Sequence, residues 1–391
     1  MNKKTLPEQF RRNTAVAMIV CLFVLLWLPT LDLLFHLDHS PMPNENRALG
    51  KFPVLEATEK SVQDFPAGLE AYFRDHFGFR NRLIRLGSRW KHDLFKESDT
   101  ADGLAGQAGW LFFSGDYMME DFQGLKKFSP QVLQEWQTLL EKRRDWLAQR
   151  GISYLFVIPP DKHSIYPEFL PNWLAQRKAS SKLDQFLAYM KAHSKVAVLD
   201  LRPVLLEGKK SSCTYLQTDT HWNSFGAFLG YQALVQALRL QMPDLREPLP
   251  LTDFVQHPTH QDAGDVAKLL GQQSQVVESN AVVMSPRPPL GRPAVIPADD
   301  RLPKKWKPLN NPVATQYSDA TGKAVVFHDS FACAWYPFLG YHFQEVVYIW
   351  QYEWDAAFLK REKPTVVIDE ILERLFDKTD PAELLQKDAL P

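Results

Sequence analysis

Apolar and polar positions in this chain follow two periods, one helical and one strand-like, and the N-terminus stands apart from both. From Ala15 to Leu31 (AVAMIVCLFVLLWLPTL) no residue is charged, and Leu33, Leu34 and Phe35 prolong the run past Asp32. About 20 helical residues cross a hydrocarbon core, so residues 15–35 are predicted as a membrane-spanning helix. Lys3, Lys4, Arg11 and Arg12 precede it. Positive charge on that flank predicts a cytoplasmic N-terminus over residues 1–14 and export of the remainder. A cleaved signal peptide is the competing reading. Its apolar core would be shorter and would end in small residues, whereas this run is long, bulky and followed by no A-x-A-like site. With no comparable run after Leu34, the expectation is an uncleaved, single-pass signal anchor.

Residues 36–100 are predicted as a stalk and an N-terminal helical segment. PMPNENRALGKFP is rich in Pro, Asn and charge, and apolar residues from Leu69 to Trp90 then recur near helical spacing between Val62 and Lys96. GQAGWLFFSGD (Gly106–Asp116) reads as a turn into a short buried strand. From there the order becomes regular. A helix from Pro130 to Arg150, capped by Gly151, precedes the strand ISYLFVIPP, which prolines terminate. A helix around Ser180–His193, the strand Val196–Asp200 and a helix from about Asn223 to Leu240 follow. Strands Ala324–Asp329, Glu345–Trp350 and Thr365–Glu370 are separated by helices. Short apolar strands alternating with amphipathic helices predict an α/β domain over residues 101–391, its parallel sheet covered on both faces. In such sheets ligands bind beyond the carboxyl ends of the strands. The Pro-rich stretch from Met284 to Tyr317 is predicted as a long surface loop.

Composition narrows the function classes. A formal net charge of −1 gives no electrostatic case for general nucleic-acid binding. Of three cysteines, Cys21 lies in the apolar run; Cys213 and Cys333 suit either a disulfide in an oxidising compartment or two reduced, buried thiols.

Two segments offer chemistry. QTDTHWNSFGAFLG places Asp219 and His221 two residues apart before an amphipathic helix, with Asn223 or Ser224 as its N-cap. AVVFHDSFACAW carries a buried strand into Ser330 at its carboxyl end. A serine there projects from the sheet edge beside backbone N–H groups. A hydroxyl needs a base to become a nucleophile; His221 would take its proton and Asp219 would hold the imidazole. Taken alone, the same residues suit a loop hydrogen bond and a helix cap. HPTHQD (His257–Asp262) has two histidines beside an aspartate but no third convergent ligand, so a solvated loop and no metal is the expectation. Lys162, just past a strand, and the aromatics Trp110, Trp222, Trp335 and Tyr336 are candidates for meeting a sugar, against surface salt-bridge and core-packing alternatives.

Several segments together resemble the alginate O-acetyltransferase family, the AlgJ/AlgX-type SGNH hydrolase-like proteins. They are ENRALGKFP, YFRDHFGFRNRL, GQAGWLF, VIPPDKHSIYPEFLP, DTHW, GDVAKLLG, HDSF and KPTVVIDEILERLF, in that order. The resemblance implies a three-layer α/β/α SGNH hydrolase-like fold. It also implies Ser330 as nucleophile, His221 as general base and acid, and Asp219 as the residue orienting His221, with substrate contacts from Lys162, Trp222 and Tyr336. The D-x-H pair precedes the serine here, as in that family. His328 departs from the pattern, standing where many relatives have Gly. The implied activity is transfer of acetyl groups to an exopolysaccharide through an acetyl-serine, in the periplasm, from an inner-membrane anchor. The implied donor is a membrane-bound O-acyltransferase (MBOAT type), and no cofactor is required. An acetyl esterase with the same triad, or a non-catalytic polysaccharide scaffold, are the alternatives.

Overall fold

The computed structural model describes residues 102–391 apart from 116, 304, 305, 307–311, 377, 389 and 391. Of the first 101 residues it describes 16, 23, 27–32, 35, 37, 52–55 and 59–79. The predicted anchor over 15–35 lies for the most part outside the described residues. Among those described, no helix is long and apolar enough to cross a membrane. The chain divides into two units, residues 1–100 with 268–271, and the remainder. In the first, a helix spans Glu59–His76 and overlaps the first half of the predicted helical segment Val62–Lys96; residues 80–96 fall outside the described residues.

The second unit is built on a seven-stranded sheet. Its strands, in chain order, are β1 (Ser153–Ile158), β2 (Val198–Asp200), β3 (Ala294–Pro297), β4 (Val313–Gln316), β5 (Lys323–Phe327), β6 (Glu345–Ile349) and β7 (Val366–Glu370). Spatially they run β2-β1-β7-β5-β6-β4-β3. The first five of these are mutually parallel. β4 pairs antiparallel with both β6 and β3, so the sheet is mixed and the expectation of a parallel sheet needs correction. The cause is connectivity. β1, β5 and β6 are each followed by helices that carry the chain back across a face. Between β3 and β4 the only helical turn among the described residues is Asp299–Arg301, so the chain reverses and pairs with itself. The Pro-rich stretch predicted as loop thus supplies β4 and the edge strand β3, whose last residue is Pro297, and at an edge proline's missing N–H is tolerated. Its first residues, from Met284 to Pro286, belong to a strand, Val282–Pro286, that pairs antiparallel with Phe254–Pro258.

Strand periodicity sorts the core into two layers. Leu155, Val157, Val326, Val346, Tyr348 and Ile368 face one cluster with Phe228, Tyr231 and Leu234 of the helix Ser224–Arg239. Their neighbours Tyr154, Phe156, Val325, Phe327, Val347 and Val367 face the other, with Trp136, Leu139, Leu140 and Trp146 of the helix Pro130–Ala148. The result is helices on both faces of a sheet. Ser129 caps the latter helix, its Oγ accepting from Val132 N at 3.2 Å. Gly151 ends the turn after it at φ +69°, a conformation suited to glycine. The order β1-β7-β5 brings three strand carboxyl ends side by side. Asp161 and Lys162 follow β1, Asp329 and Ser330 follow β5, and Glu370 ends β7 with the chain continuing to Arg374.

Candidate active site

Ser330 is set by its predecessor. After β5, Asp329 turns its carboxylate back on the chain. Oδ1 accepts from Phe331 N at 3.0 Å, and Oδ2 accepts from Leu372 N and the Tyr352 hydroxyl, both at 2.8 Å. Asp329 N donates to Glu370 Oε2 at 2.9 Å. Burial, reinforced by the Asp329 charge, pushes the Glu370 carboxyl well up, so it sits as a neutral acid behind the turn. The chain leaves Ser330 in a 3-10 turn, Phe331–Trp335, rather than directly in the predicted helix.

Across from it lies the loop 214–222. His221 Nε2 is 2.7 Å from Ser330 Oγ, and His221 Nδ1 is 2.7 Å from Asp219 Oδ1. Asp219 Oδ1 also accepts from His221 N at 3.0 Å, and Oδ2 from Asp265 N at 3.0 Å. Burial alone would raise the Asp219 carboxyl. The His221 hydrogen bond and charge, with these amides, outweigh it and hold the group well below the usual carboxylate range. Trp222 Nε1 donates to Phe331 O at 3.1 Å, tying the two motifs together. Asn223, one of the two expected caps, is the N-cap of the following helix, accepting from Gly226 N.

The loop has little regular structure, and charged side chains satisfy its backbone. Glu278 takes the amides of Gln217 and Thr218 and the Thr218 hydroxyl at 2.7–2.8 Å. Asp265 takes the amide and hydroxyl of Thr220. Lys162 donates to the carbonyls of Leu216, Gln217 and Asp219 at 3.1, 3.1 and 2.6 Å.

Lys162 was expected to meet substrate. At 3% exposure it instead holds this loop from beneath, because β1 ends directly under it. Burial lowers its pKa to about 8, against the pull of Asp219, Asp265 and Glu278. Trp222, the second expected sugar contact, is equally buried and packs between Phe331 and Trp335, with ring centroids at 5.1 and 5.5 Å. Tyr336 is half-buried, its hydroxyl 3.3 Å from Cys333 Sγ and its ring against Tyr348. Trp110 stacks on Tyr166 and Phe169, and Trp335 is buried with Nε1 on Ala227 O. Apolar ring area drives Trp110, Trp222 and Trp335 inward. His328 is buried among Tyr336, Tyr348 and Trp350, and burial lowers its pKa to about 4, which keeps the ring neutral. Cys213 and Cys333 are both free thiols.

The residues of HPTHQD are exposed or nearly so. Two other groups, Asp161–His163–Glu373 and Asp219–His221–Asp265, bring potential ligand atoms within 4.8 Å. Hydrogen bonds account for both. Arg374 pairs with Asp161, Glu373 accepts from Asp161 N, and His221 is shared between Asp219 and Ser330. Sequence reasoning missed Thr220, Asp265 and Glu278. The GDV segment contained Asp265 without revealing its partner; nothing in the sequence around Glu278 marks it.

Residues 104–288 match the family model described as SGNH hydrolase-like domain, acetyltransferase AlgX. The matched stretch includes Asp219 and His221; Ser330 lies beyond it. A protein named probable alginate O-acetylase AlgJ, from Pseudomonas putida, is 30% identical over 170 residues. Over residues 104–288 the chain is thus similar to an SGNH hydrolase-like domain of the AlgX type. That alignment covers 42% of this chain and 42% of the Pseudomonas putida protein, so the chain spans under half the length of that relative. Among solved structures, a DHHW family protein from Eubacterium siraeum superposes with a TM-score of 0.53 at 15% identity, over 75% of this chain and 98% of that one. Bacillus cereus PatB1 does so with a TM-score of 0.50 at 16% identity, over 69% and 95%. At such identities the likeness is one of fold.

Proposed function

We propose that this protein is an O-acetyltransferase that moves acetyl groups onto hydroxyls of an exopolysaccharide. The observation that carries the reading is the unbroken chain Asp219–His221–Ser330, 2.7 Å at each link. His221 Nε2 takes the Ser330 proton as Oγ attacks the acetyl carbonyl carbon, then gives it to the departing donor group. The acetyl group remains on Ser330 as an ester. A sugar hydroxyl next attacks that ester, His221 takes its proton, and the proton returns to Ser330 Oγ as the acetylated sugar leaves. Asp219 orients the imidazole and stabilises its cation. The Phe331 amide is committed to Asp329, so the oxyanion donor from this turn is the Ser330 amide.

Relatives named probable alginate O-acetylase support the acetyl chemistry and a polysaccharide acceptor. The apolar run 15–35 with its basic flank supports an inner-membrane anchor and a periplasmic domain. Acetyl-CoA is cytosolic, so the donor in this reading is a membrane-bound O-acyltransferase of the MBOAT type. The test supplies 4-nitrophenyl acetate to the full-length protein in detergent, with and without alginate or cellulose, for wild type and Ser330→Ala. Acetyl appearing on polymer only with Ser330 is the expected result. Ser330-dependent release to water alone would make the protein an esterase, and turnover indifferent to Ser330 would overturn the site.

A further inference from the structure

Thr220 stands between the two members of the His–Asp pair, and its hydroxyl touches both His221 and a second carboxylate. Thr220 Oγ1 is 2.6 Å from Asp265 Oδ2 and 3.3 Å from His221 Nδ1. Thr220 N donates to Asp265 Oδ1 at 2.7 Å, and Asp265 N donates to Asp219 Oδ2 at 3.0 Å. Asp265 is thus locked to both neighbours of the imidazole, and its own Oδ2 lies 3.9 Å from Nδ1.

The direction of these bonds follows from the donor inventory. A carboxylate accepts only, whereas a hydroxyl has one proton and two lone pairs. With Asp265 Oδ2 at 2.6 Å, the Thr220 proton points to Asp265 and a lone pair faces Nδ1. Asp219 Oδ1, on the same nitrogen, also accepts only. Every polar group around Nδ1 is then an acceptor, so Nδ1 carries the ring proton and Nε2 presents its lone pair to Ser330. Were the Thr220 proton free to turn toward Nδ1, the competing tautomer would gain a donor. That tautomer carries its proton on Nε2 and cannot take one from Ser330.

We propose that Asp265 is a positioning residue that, through the Thr220 hydroxyl, fixes the His221 tautomer required for base catalysis. The proposal rests on the acyl-transfer reading above for its functional meaning, but the tautomer itself is measurable without turnover. Asp265→Asn keeps an oxygen for Thr220 N and turns an NH2 toward Thr220 Oγ1, which frees the Thr220 proton for Nδ1. In Asp265→Asn, kcat with 4-nitrophenyl acetate should fall on the order of tenfold or more with KM little changed. Adding Thr220→Val removes the misdirected donor, so the double variant should be more active than Asp265→Asn alone. In full-length protein labelled with 15N-histidine, the neutral His221 ring should show Nδ1–H in wild type and a shift toward Nε2–H in Asp265→Asn. An unchanged ring tautomer in Asp265→Asn, or a double variant no better than the single, would overturn the proposal. If the tautomer shifts as expected while turnover ignores Ser330→Ala, the acyl-transfer reading fails and the tautomer assignment stands.

Discussion

The Lys162 ammonium and the Asp219 carbonyl oxygen meet at 2.6 Å, inside the protein and beneath the loop that carries the His–Asp pair. Two more carbonyls, of Leu216 and Gln217, share the same ammonium. A lysine that sequence reading assigns to substrate therefore holds a turn of backbone that has no ladder of its own.

Lys162→Met should accordingly be costly to the fold. It leaves the Leu216 and Asp219 carbonyls without a donor, Gln217 O keeping the Leu111 amide at 3.0 Å, and an unsatisfied buried polar group costs about 1–3 kcal/mol. Lys191→Met, at an exposed helix position, should stay within about 0.5 kcal/mol of wild type. Urea denaturation of the two variants makes the comparison. A Lys162→Met protein as stable as the Lys191→Met control would show that the ammonium does not hold the loop.

Gly264 bears on Asp219 through its missing side chain. A Cβ at Gly264 would lie 2.4 Å from Asp219 Cβ and 2.6 Å from Asp219 Cα, closer than real contacts allow. Backbone cannot rotate aside as a long side chain can, so Gly264→Ala must push Asp219. Misplacement by about 1 Å can reduce turnover on the order of 10²-fold, and overpacking costs about 1–3 kcal/mol. The expected result is a large fall in kcat with a lowered Tm. Near-wild-type kcat would mean the loop adapts without disturbing His221.

Glu373 provides a pH-dependent test. Burial, with the nearby Asp161 charge, pushes its carboxyl up to about 8. Its folded value exceeds its unfolded one, so its contribution is full below about pH 4 and is lost as pH rises toward 8. Glu373→Gln keeps an oxygen for Asp161 N, which the native Oε2 accepts at 2.8 Å, and cannot ionise. Its stability relative to wild type should therefore increase from pH 5 to pH 8 in paired denaturation curves. A difference that stays flat across that range would contradict the buried, proton-holding carboxyl.

Much of the sheet was legible because burial on both faces leaves a local trace. SYLFVI, KAVVF, EVVYI and VVIDE are short apolar runs bounded by turns, and all four are adjacent parallel strands or their neighbours in the structure. β3 was hidden because an edge strand needs no such run; Val295 of β3 is 56% exposed. Trp110, Trp222 and Trp335 show the same limit from the other side, since a tryptophan's composition does not say whether its ring meets solvent or the core. The pairing of Asp265 with Thr220 joins residues 45 apart in sequence, and no local pattern encodes it.

By itself, the sequence determined the alternation of strands and helices and the placing of Ser330 at a strand's carboxyl end. It also set Asp219 and His221 close enough to hydrogen-bond within one turn. These are consequences of period and short spacing, which act between near neighbours. Only the tertiary structure decided that β7 lies between β1 and β5, that Lys162 points inward, and that Asp265 reaches Thr220. Those outcomes depend on which distant groups share a buried space and whose polar atoms must be satisfied there. Such a requirement belongs to the folded whole and leaves no mark on any one segment.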